Sequence, residues 1–115
     1  MAIADASTFV IPKQPYTNDK GVCIAELDIN NYPEWARRQM AFGRNLKGVE
    51  ERTTAKCQLK GQYRPPGSTE PQTDKVLYVE ISATTMAVVQ RAKSAVHAMI
   101  EEFAKKTLAI PSGGR

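Results

Sequence analysis

The sequence predicts an α+β domain in which a three-stranded antiparallel sheet packs on three helices, in the order β-α-α-β-β-α. Three observations support this fold class. Three segments alternate apolar and polar residues with the two-residue period of half-buried strands. Two short amphipathic segments lie between the first and the second of these strands. A long segment near the C-terminus repeats apolar residues at steps of three and four, as a helix packed on a core does.

The three predicted strands are residues 23–29, 55–60 and 76–81. The second has an apolar face and a largely basic face, formed respectively by Ala55, Cys57 and Leu59 and by Lys56, Gln58 and Lys60. Residues 61–75 then contain Pro65-Pro66-Gly67 and few apolar side chains. Because such residues favour turns, we expect a long exposed loop there.

The first two helices are predicted to be short. The first begins at Pro33, whose fixed φ suits an opening helical turn, and ends near Phe42 and Gly43. The second begins at Arg44 or Asn45 and ends at about residue 52.

The C-terminal helix has the strongest pattern in the chain. Its apolar stripe comprises Met86, Val89, Ala92, Val96, Met99, Ile100 and Phe103. A hydroxyl of Ser82, Thr84 or Thr85 can accept a hydrogen bond from a free amide at its start. We expect the helix to continue to about Thr107.

The chain of 115 residues suits one domain with one core. Residues 1–20 show no sustained period and predict a flexible N-terminal lead-in, residues 21–108 the domain, and residues 109–115 a flexible tail. No apolar run approaches the roughly 20 residues that span a bilayer, and no secretory signal is recognisable. An intracellular protein without a membrane partner is therefore expected. Whether Met1 is a natural start stays open.

Positive charge is concentrated in one part of the chain. The net charge is +4, but residues 34–64 hold eight basic and three acidic residues, a net of +5, and the remainder sums to −1. Such a patch attracts anions, of which nucleic acid is a common example. The alternative is a merely solvated surface.

Catalytic and metal-binding patterns are weak. Cys23 and Cys57 are too few for a disulfide framework or a zinc site, and each lies among alternating apolar residues. His97 is the only histidine and has no adjacent nucleophile. The paired glutamates at 50–51 and 101–102 point in different directions on a helix. We therefore expect a non-catalytic domain without cofactor or metal.

The middle of the chain resembles the type I KH domain. In that family a Gly-x-x-Gly loop joins the first two helices, and a helix, a threonine and a strand beginning Ala-Lys-Ile follow. Leu46, Val49, Thr53 and Ala55-Lys56-Cys57 fall on that pattern, which places Met40-Ala41-Phe42-Gly43 at the loop. Met40 replaces the first glycine, which compromises close backbone approach to a phosphate.

A narrower resemblance covers roughly residues 22–106. The segments at residues 25–33 and 60–67 are similar to the C-terminal KH-like domain of the DEAD-box helicases that act at branch-site selection in pre-mRNA splicing. This similarity implies a nuclear protein with spliceosomal or other ribonucleoprotein partners. No phosphate-cradling or Asp-Glu-Ala-Asp helicase motif is present, so any ATPase would lie in a separate part of a longer protein. Whether the chain is such a fragment or a detached relative stays open.

The resemblance also implies a groove that grips about four unpaired nucleotides. The residues expected to contact RNA are Arg37, Arg38, Gly43, Arg44, Asn45, Lys47, Lys56, Gln58, Lys60 and Arg64. Free amides at a helix start, with a guanidinium nearby, favour phosphate. Whether the basic face of the second strand borders the groove is open from sequence.

Several of these side chains have a plainer interpretation. Arg37 and Arg38 can simply be solvated on the outer side of the first helix. Trp35, Phe42 and Tyr63 are candidates for base stacking, although a lone tryptophan in a small domain is usually part of the core.

Two functional hypotheses follow. The leading one is a single-stranded RNA-binding module, an accessory domain of an RNA helicase in pre-mRNA splicing. The alternative is a degenerate KH-like domain that docks proteins through Met40, Ala41 and Phe42 without binding RNA. Added salt discriminates between them, because it weakens RNA binding steeply and apolar docking much less.

Overall fold

The computed structural model describes residues 10–109. Within that range the elements are β1 (Tyr16–Thr17), β2 (Cys23–Asp28), α1 (Glu34–Ala41), α2 (Gly43–Thr53), β3 (Lys56–Lys60), β4 (Tyr78–Ala83) and α3 (Met86–Ala109). Residues 1–9 of the predicted lead-in and residues 110–115 of the predicted tail lie outside the described residues.

The described strands form one antiparallel sheet in the order β1-β2-β4-β3. The α+β class, the antiparallel pairing and the three helices are confirmed in this range. The prediction of three strands in the order β-α-α-β-β-α was wrong, because β1 adds a fourth strand at the edge beside β2. The observed order is β-β-α-α-β-β-α.

The added strand is specified by a turn and a hydrogen bond rather than by periodicity. Asn18 Oδ1 accepts hydrogen bonds from the backbone N–H groups of Lys20 and Val22, which reverses the chain before β2. The Tyr16 hydroxyl donates to Glu26 Oε2 over 2.6 Å. A two-residue strand is too short to show an alternating pattern, so the sequence carries no period that could reveal it.

The core lies between one face of the sheet and the three helices. β2 and β4 contribute Ala25, Val79 and Ile81, and α3 contributes the fully buried stripe Val89, Ala92, Val96 and Ile100. The predicted apolar stripe of α3 therefore faces the core. Burial of this apolar surface is the main driving force for the fold.

Element boundaries differ slightly from the predicted ones. β4 begins two residues later than predicted, at Tyr78, although Leu77 already accepts a hydrogen bond from the Ile29 amide. Thr85 is the residue that caps α3, since its Oγ1 accepts from the Val88 amide at 3.3 Å. Thr54 follows α2 with a positive φ of 67°, a conformation that commonly ends helices.

The loop between β3 and β4 is tied to the body of the domain. Buried Asn30 donates from Nδ2 to the carbonyl of Arg64 and accepts from its amide, both at 2.8 Å. The Arg64 guanidinium donates to the carbonyls of Ser68 and Glu70 and so organises the loop from within. Gly61, with a φ of +82°, allows the chain to turn closely past Val76.

Candidate nucleic-acid interface

The turn between α1 and α2 consists of a single residue, Phe42. It ends α1 and precedes Gly43, the first residue of α2. The carbonyl of Gln39 accepts hydrogen bonds from the Phe42 amide and from Asn45 Nδ2, at 3.2 and 2.7 Å. These bonds hold the start of α2 against the end of α1. The Asn45 amide donates to the Phe42 carbonyl over 3.0 Å, and the amides of Gly43 and Arg44 lie at the helix start, where no carbonyl within the helix is available to them.

Only part of the predicted Gly-x-x-Gly region is exposed. The Met40 side chain is buried in the core, with 1% of its surface exposed. Ala41, Phe42, Gly43 and Arg44 are exposed, and Phe42 presents 51% of its surface. The Arg44 guanidinium lies 5.9 Å from the centre of the Phe42 ring. The loop tip is therefore one exposed aromatic ring beside one cation.

A groove with a volume of about 590 Å³ runs between this turn, α2 and β3. Its lining residues are Met40, Ala41, Gly43, Leu46, Lys47, Glu50, Cys57, Gln58, Leu59 and Lys60. The floor is apolar, and Lys47 and Lys60 are exposed at its rim. We call this feature the α2–β3 groove.

The backbone of β3 forms one wall of the α2–β3 groove because β3 is an edge strand of the described sheet. The Cys57 amide points away from β4 and donates to Glu50 Oε2 over 2.8 Å. Alternate residues of a strand turn their backbone groups the same way, so Leu59 also presents its N–H and C=O to the groove. These groups are a hydrogen-bonding edge that a ligand can use.

The structure brings four of the predicted RNA-binding residues to the α2–β3 groove, namely Gly43, Lys47, Gln58 and Lys60. Arg44 lies beside them at the loop tip. Gln58 and Lys60 line the groove, although their side chains project from the face of β3 opposite the buried Cys57. The Lys60 ammonium also lies 3.1 Å from Glu80 Oε1, so part of its charge is balanced across the sheet.

The other predicted RNA-binding residues lie elsewhere or have protein partners. Lys56 is exposed but does not line the groove. The side-chain amide of Asn45 donates to the carbonyl of Gln39, and the guanidinium of Arg64 donates to the Glu70 carbonyl within its own loop. Arg38 lies on the exposed side of α1, 3.8 Å from Glu34.

Arg37 makes a contact that sequence reasoning did not find. Its Nε donates to the carbonyl of Tyr32 over 2.9 Å, and its guanidinium carbon lies 3.7 Å from the centre of the Tyr63 ring. Trp35, by contrast, packs edge-on against Phe103 with ring centres 5.7 Å apart, as a core aromatic does. No sequence signal links Arg37 with Tyr63, since they lie on different elements.

The pKa values of two side chains near the groove and α1 are raised. Burial, with the nearby Glu50 charge, raises the pKa of the Cys57 thiol to about 11, which keeps it protonated at neutral pH. Burial and the hydrogen bond to Glu101 raise the pKa of Tyr32 to about 12. His97 Nε2 lies 3.4 Å from the same Glu101 carboxylate.

The described residues contain no group of three or more histidine, cysteine or acidic side chains placed to hold a metal ion. In the same range no helix is both long and apolar enough to cross a membrane.

The fold and the groove define the class of this chain, a small α+β domain with a helix–turn–helix pair beside the edge strand of an antiparallel sheet. A family model described as a KH-domain matches residues 23–109, and the chain belongs to the KH-domain family. The resemblance seen in the sequence is thereby confirmed.

Curated relatives of the same region are RNA helicases by name. The chain is 30% identical over 77 residues to "Probable ATP-dependent RNA helicase DDX46" of Homo sapiens. It is 35% identical over 95 residues to "Pre-mRNA-processing ATP-dependent RNA helicase PRP5" of Pyricularia oryzae. It is 29% identical over 90 residues to "DEAD-box ATP-dependent RNA helicase 45" of Oryza sativa subsp. japonica.

The alignments with these three proteins cover 67%, 79% and 78% of this chain but only 8%, 9% and 10% of the relatives. The chain thus spans about a tenth of the length of the curated relatives it matches. The shared region is a small KH-like part of much longer proteins.

Proposed function

We propose that this chain is a single-stranded RNA-binding module, non-catalytic in itself, that serves an RNA helicase in nuclear pre-mRNA splicing. The observation that carries the proposal is the α2–β3 groove, where the start of a helix, two rim lysines and the edge of a strand converge. Single-stranded RNA offers both of the chemistries that such a groove can bind, namely phosphates and unpaired base edges.

The two sides of the groove suit the two parts of a nucleotide. Phosphates bind at the start of α2, where the free amides of Gly43 and Arg44 and the positive end of the helix dipole favour anions. Lys47 adds a further positive charge on the same helix. Bases then point across the apolar floor toward β3, where the backbone groups of Leu59 can pair with a base edge.

Glu50 distinguishes this groove from a purely basic phosphate clamp. Glu50 lines the groove, and its carboxylate accepts the hydrogen bond of the Cys57 amide. A phosphate placed there would be repelled, so the backbone of the RNA is directed to the side formed by the α1–α2 turn. Bases that can donate hydrogen bonds suit the Glu50 side.

Reversing the charge of Arg44 tests the proposal. We expect Arg44→Glu to weaken binding of a fluorescein-labelled, mixed-sequence RNA octamer about tenfold, because one phosphate contact is replaced by a repulsion. Fluorescence anisotropy at two salt concentrations would measure the loss. The dependence of log affinity on log salt should become shallower by about 0.7, the value for one contact to a single strand.

The matched control for this experiment is Arg91→Glu, which makes the same charge change at an exposed position on α3 outside the groove. We expect its affinity to stay within about twofold of the parent chain, since non-specific attraction alone is screened by salt. An equal loss in both variants would show that only net charge matters and would contradict a groove-centred site.

The second candidate function is protein docking through the loop tip, and it rests on the exposure of Phe42 beside Ala41. Aromatic residues are enriched in protein interfaces, and an apolar tip is an unusual phosphate clamp. If this function holds, Phe42→Ala abolishes association with the partner with little salt dependence, whereas Arg44→Glu leaves it largely intact. The partners would be proteins of the spliceosome or of another ribonucleoprotein.

The helicase context comes from the names of the relatives. Those names describe ATP-dependent RNA helicases, one of them a pre-mRNA-processing enzyme. An accessory KH-like domain would hold single-stranded RNA close to a helicase core located in a separate part of the protein. Nuclear localisation follows from the same proposal.

A further inference from the structure

A stacked pair of side chains, Tyr63 and Arg37, lies outside the residues that line the α2–β3 groove. The Arg37 guanidinium covers one face of the Tyr63 ring, 3.7 Å from its centre. The tyrosine nevertheless keeps 41% of its surface exposed, although most large apolar side chains of the described region are buried or half-buried. A planar ligand can reach the tyrosine through this exposed surface.

Both members of the pair are held in place. The backbone of the tyrosine is fixed on one side by the Gln62 amide, which donates to the carbonyl of Lys75 over 3.0 Å. On the other side Arg64 exchanges two hydrogen bonds with the side chain of Asn30. Arg37 is fixed by its Nε bond to Tyr32. A rigid aromatic ring loses little conformational entropy when a base stacks on it.

Sequence spacing relates the pair to the α2–β3 groove. Arg37 precedes Met40 and Ala41 by three and four residues and so lies on the same side of α1 as these two lining residues. Tyr63 follows Lys60, which lines the groove from β3, by three residues. We therefore expect RNA that leaves the groove on the Lys60 side to reach this ring.

We propose that Tyr63 is a stacking platform for one unpaired base of the bound RNA, with Arg37 beneath it attracting the adjoining phosphate. Within residues 10–109 the terminal amines of the Arg37 guanidinium have no hydrogen-bond acceptor, so they are available to a phosphate oxygen. This platform extends the RNA site of the proposed function and rests on it.

Stacking has a recognisable signature, since it needs the ring but neither the hydroxyl nor a particular base. Tyr63→Phe keeps the ring and should bind RNA within about twofold of the parent chain. Tyr63→Ala removes it and should weaken binding about tenfold, in the range that base–aromatic stacking contributes. Circular dichroism and the fluorescence of Trp35 would establish that both variants remain folded.

A series of RNA octamers, each with one abasic ribose, identifies the base concerned. At one position the parent chain should lose about tenfold in affinity, whereas Tyr63→Ala should lose nothing further there, because the base and the ring act as one pair. The other positions should weaken both proteins equally.

Three results would overturn the platform. If Tyr63→Ala binds RNA like the parent chain while Arg44→Glu still weakens binding, the platform is wrong and the proposed function stands. If Tyr63→Ala weakens binding but no abasic position cancels its effect, the ring only shapes the loop. If the parent chain binds none of the octamers, the proposed function fails and the platform fails with it.

Discussion

Replacing Gly61 with alanine should destabilise the domain by about 4 kcal/mol, at the upper end for single substitutions. A Cβ at this position would lie 2.2 Å from the Val76 carbonyl oxygen and 2.9 Å from that of Lys75. Both are backbone atoms, so relief requires the loop between β3 and β4 to move. The φ of +82° adds a strain of about 1–2 kcal/mol that only glycine avoids.

Substitutions at two other glycines distinguish the steric clash from the backbone strain. Gly67 has a φ of +75° but open space around its Cβ position, so Gly67→Ala should cost only the strain, about 1 kcal/mol. Gly48 is helical with open space, and Gly48→Ala should stabilise the domain by up to about 1 kcal/mol. Urea denaturation followed by circular dichroism measures all three. A Gly61→Ala domain as stable as Gly67→Ala would show that the close backbone approach does not exist.

The second large effect is expected at Lys75. Its ammonium lies 2.6 Å from Oε1 of Glu26, whose side chain is only 2% exposed. Removing one partner of a buried ion pair leaves the other charge without compensation. Lys75→Met should therefore lower the free energy of unfolding by about 3 kcal/mol, the lower end of the range for buried pairs, because the lysine itself is partly solvated.

The ion pair of Lys60 and Glu80 provides the control. Its glutamate lies in the same sheet as Glu26, but both of its side chains are more exposed than those of the Lys75–Glu26 pair. Lys60→Met should cost less than about 1 kcal/mol. In the double variant Glu26→Gln with Lys75→Met, we expect a loss smaller than the sum of the single losses, since no buried charge remains. Strict additivity in thermal or urea denaturation would show that the two groups do not interact.

The sequence predicted the parts of the fold whose pattern is long. The stripe of α3 repeats over many turns, and the alternation in β3 matches its buried and exposed residues. In β2 the predicted polar face is not exposed, because Ile24 and Glu26 are buried as well. β1 was missed because its pairing depends on an Asn18 turn and on the Tyr16–Glu26 bond, neither of which has a period. The position of β3 at an edge of the described sheet follows from the order of all four strands, which the pattern within one strand does not reveal.

Prediction of the site was less complete for a physical reason. Lys47 and Lys60, which charge and the family pattern mark, do line the α2–β3 groove, and their contact with RNA stays a prediction. The structure, however, gives Asn45 and Arg64 hydrogen-bonding partners within the protein, and sequence spacing does not reveal such tertiary bonds. The groove position of Glu50 and the stack of Arg37 on Tyr63 depend on contacts between separate elements, so no local pattern could indicate them.

The most direct test of RNA binding follows backbone amide chemical shifts of the labelled chain during titration with short single-stranded RNAs at two salt concentrations. The proposal predicts salt-sensitive shifts that cluster at residues 37–47 and 56–64 and that largely disappear in Arg44→Glu. An absence of shifts at high micromolar RNA, or shifts confined to α3, would contradict it.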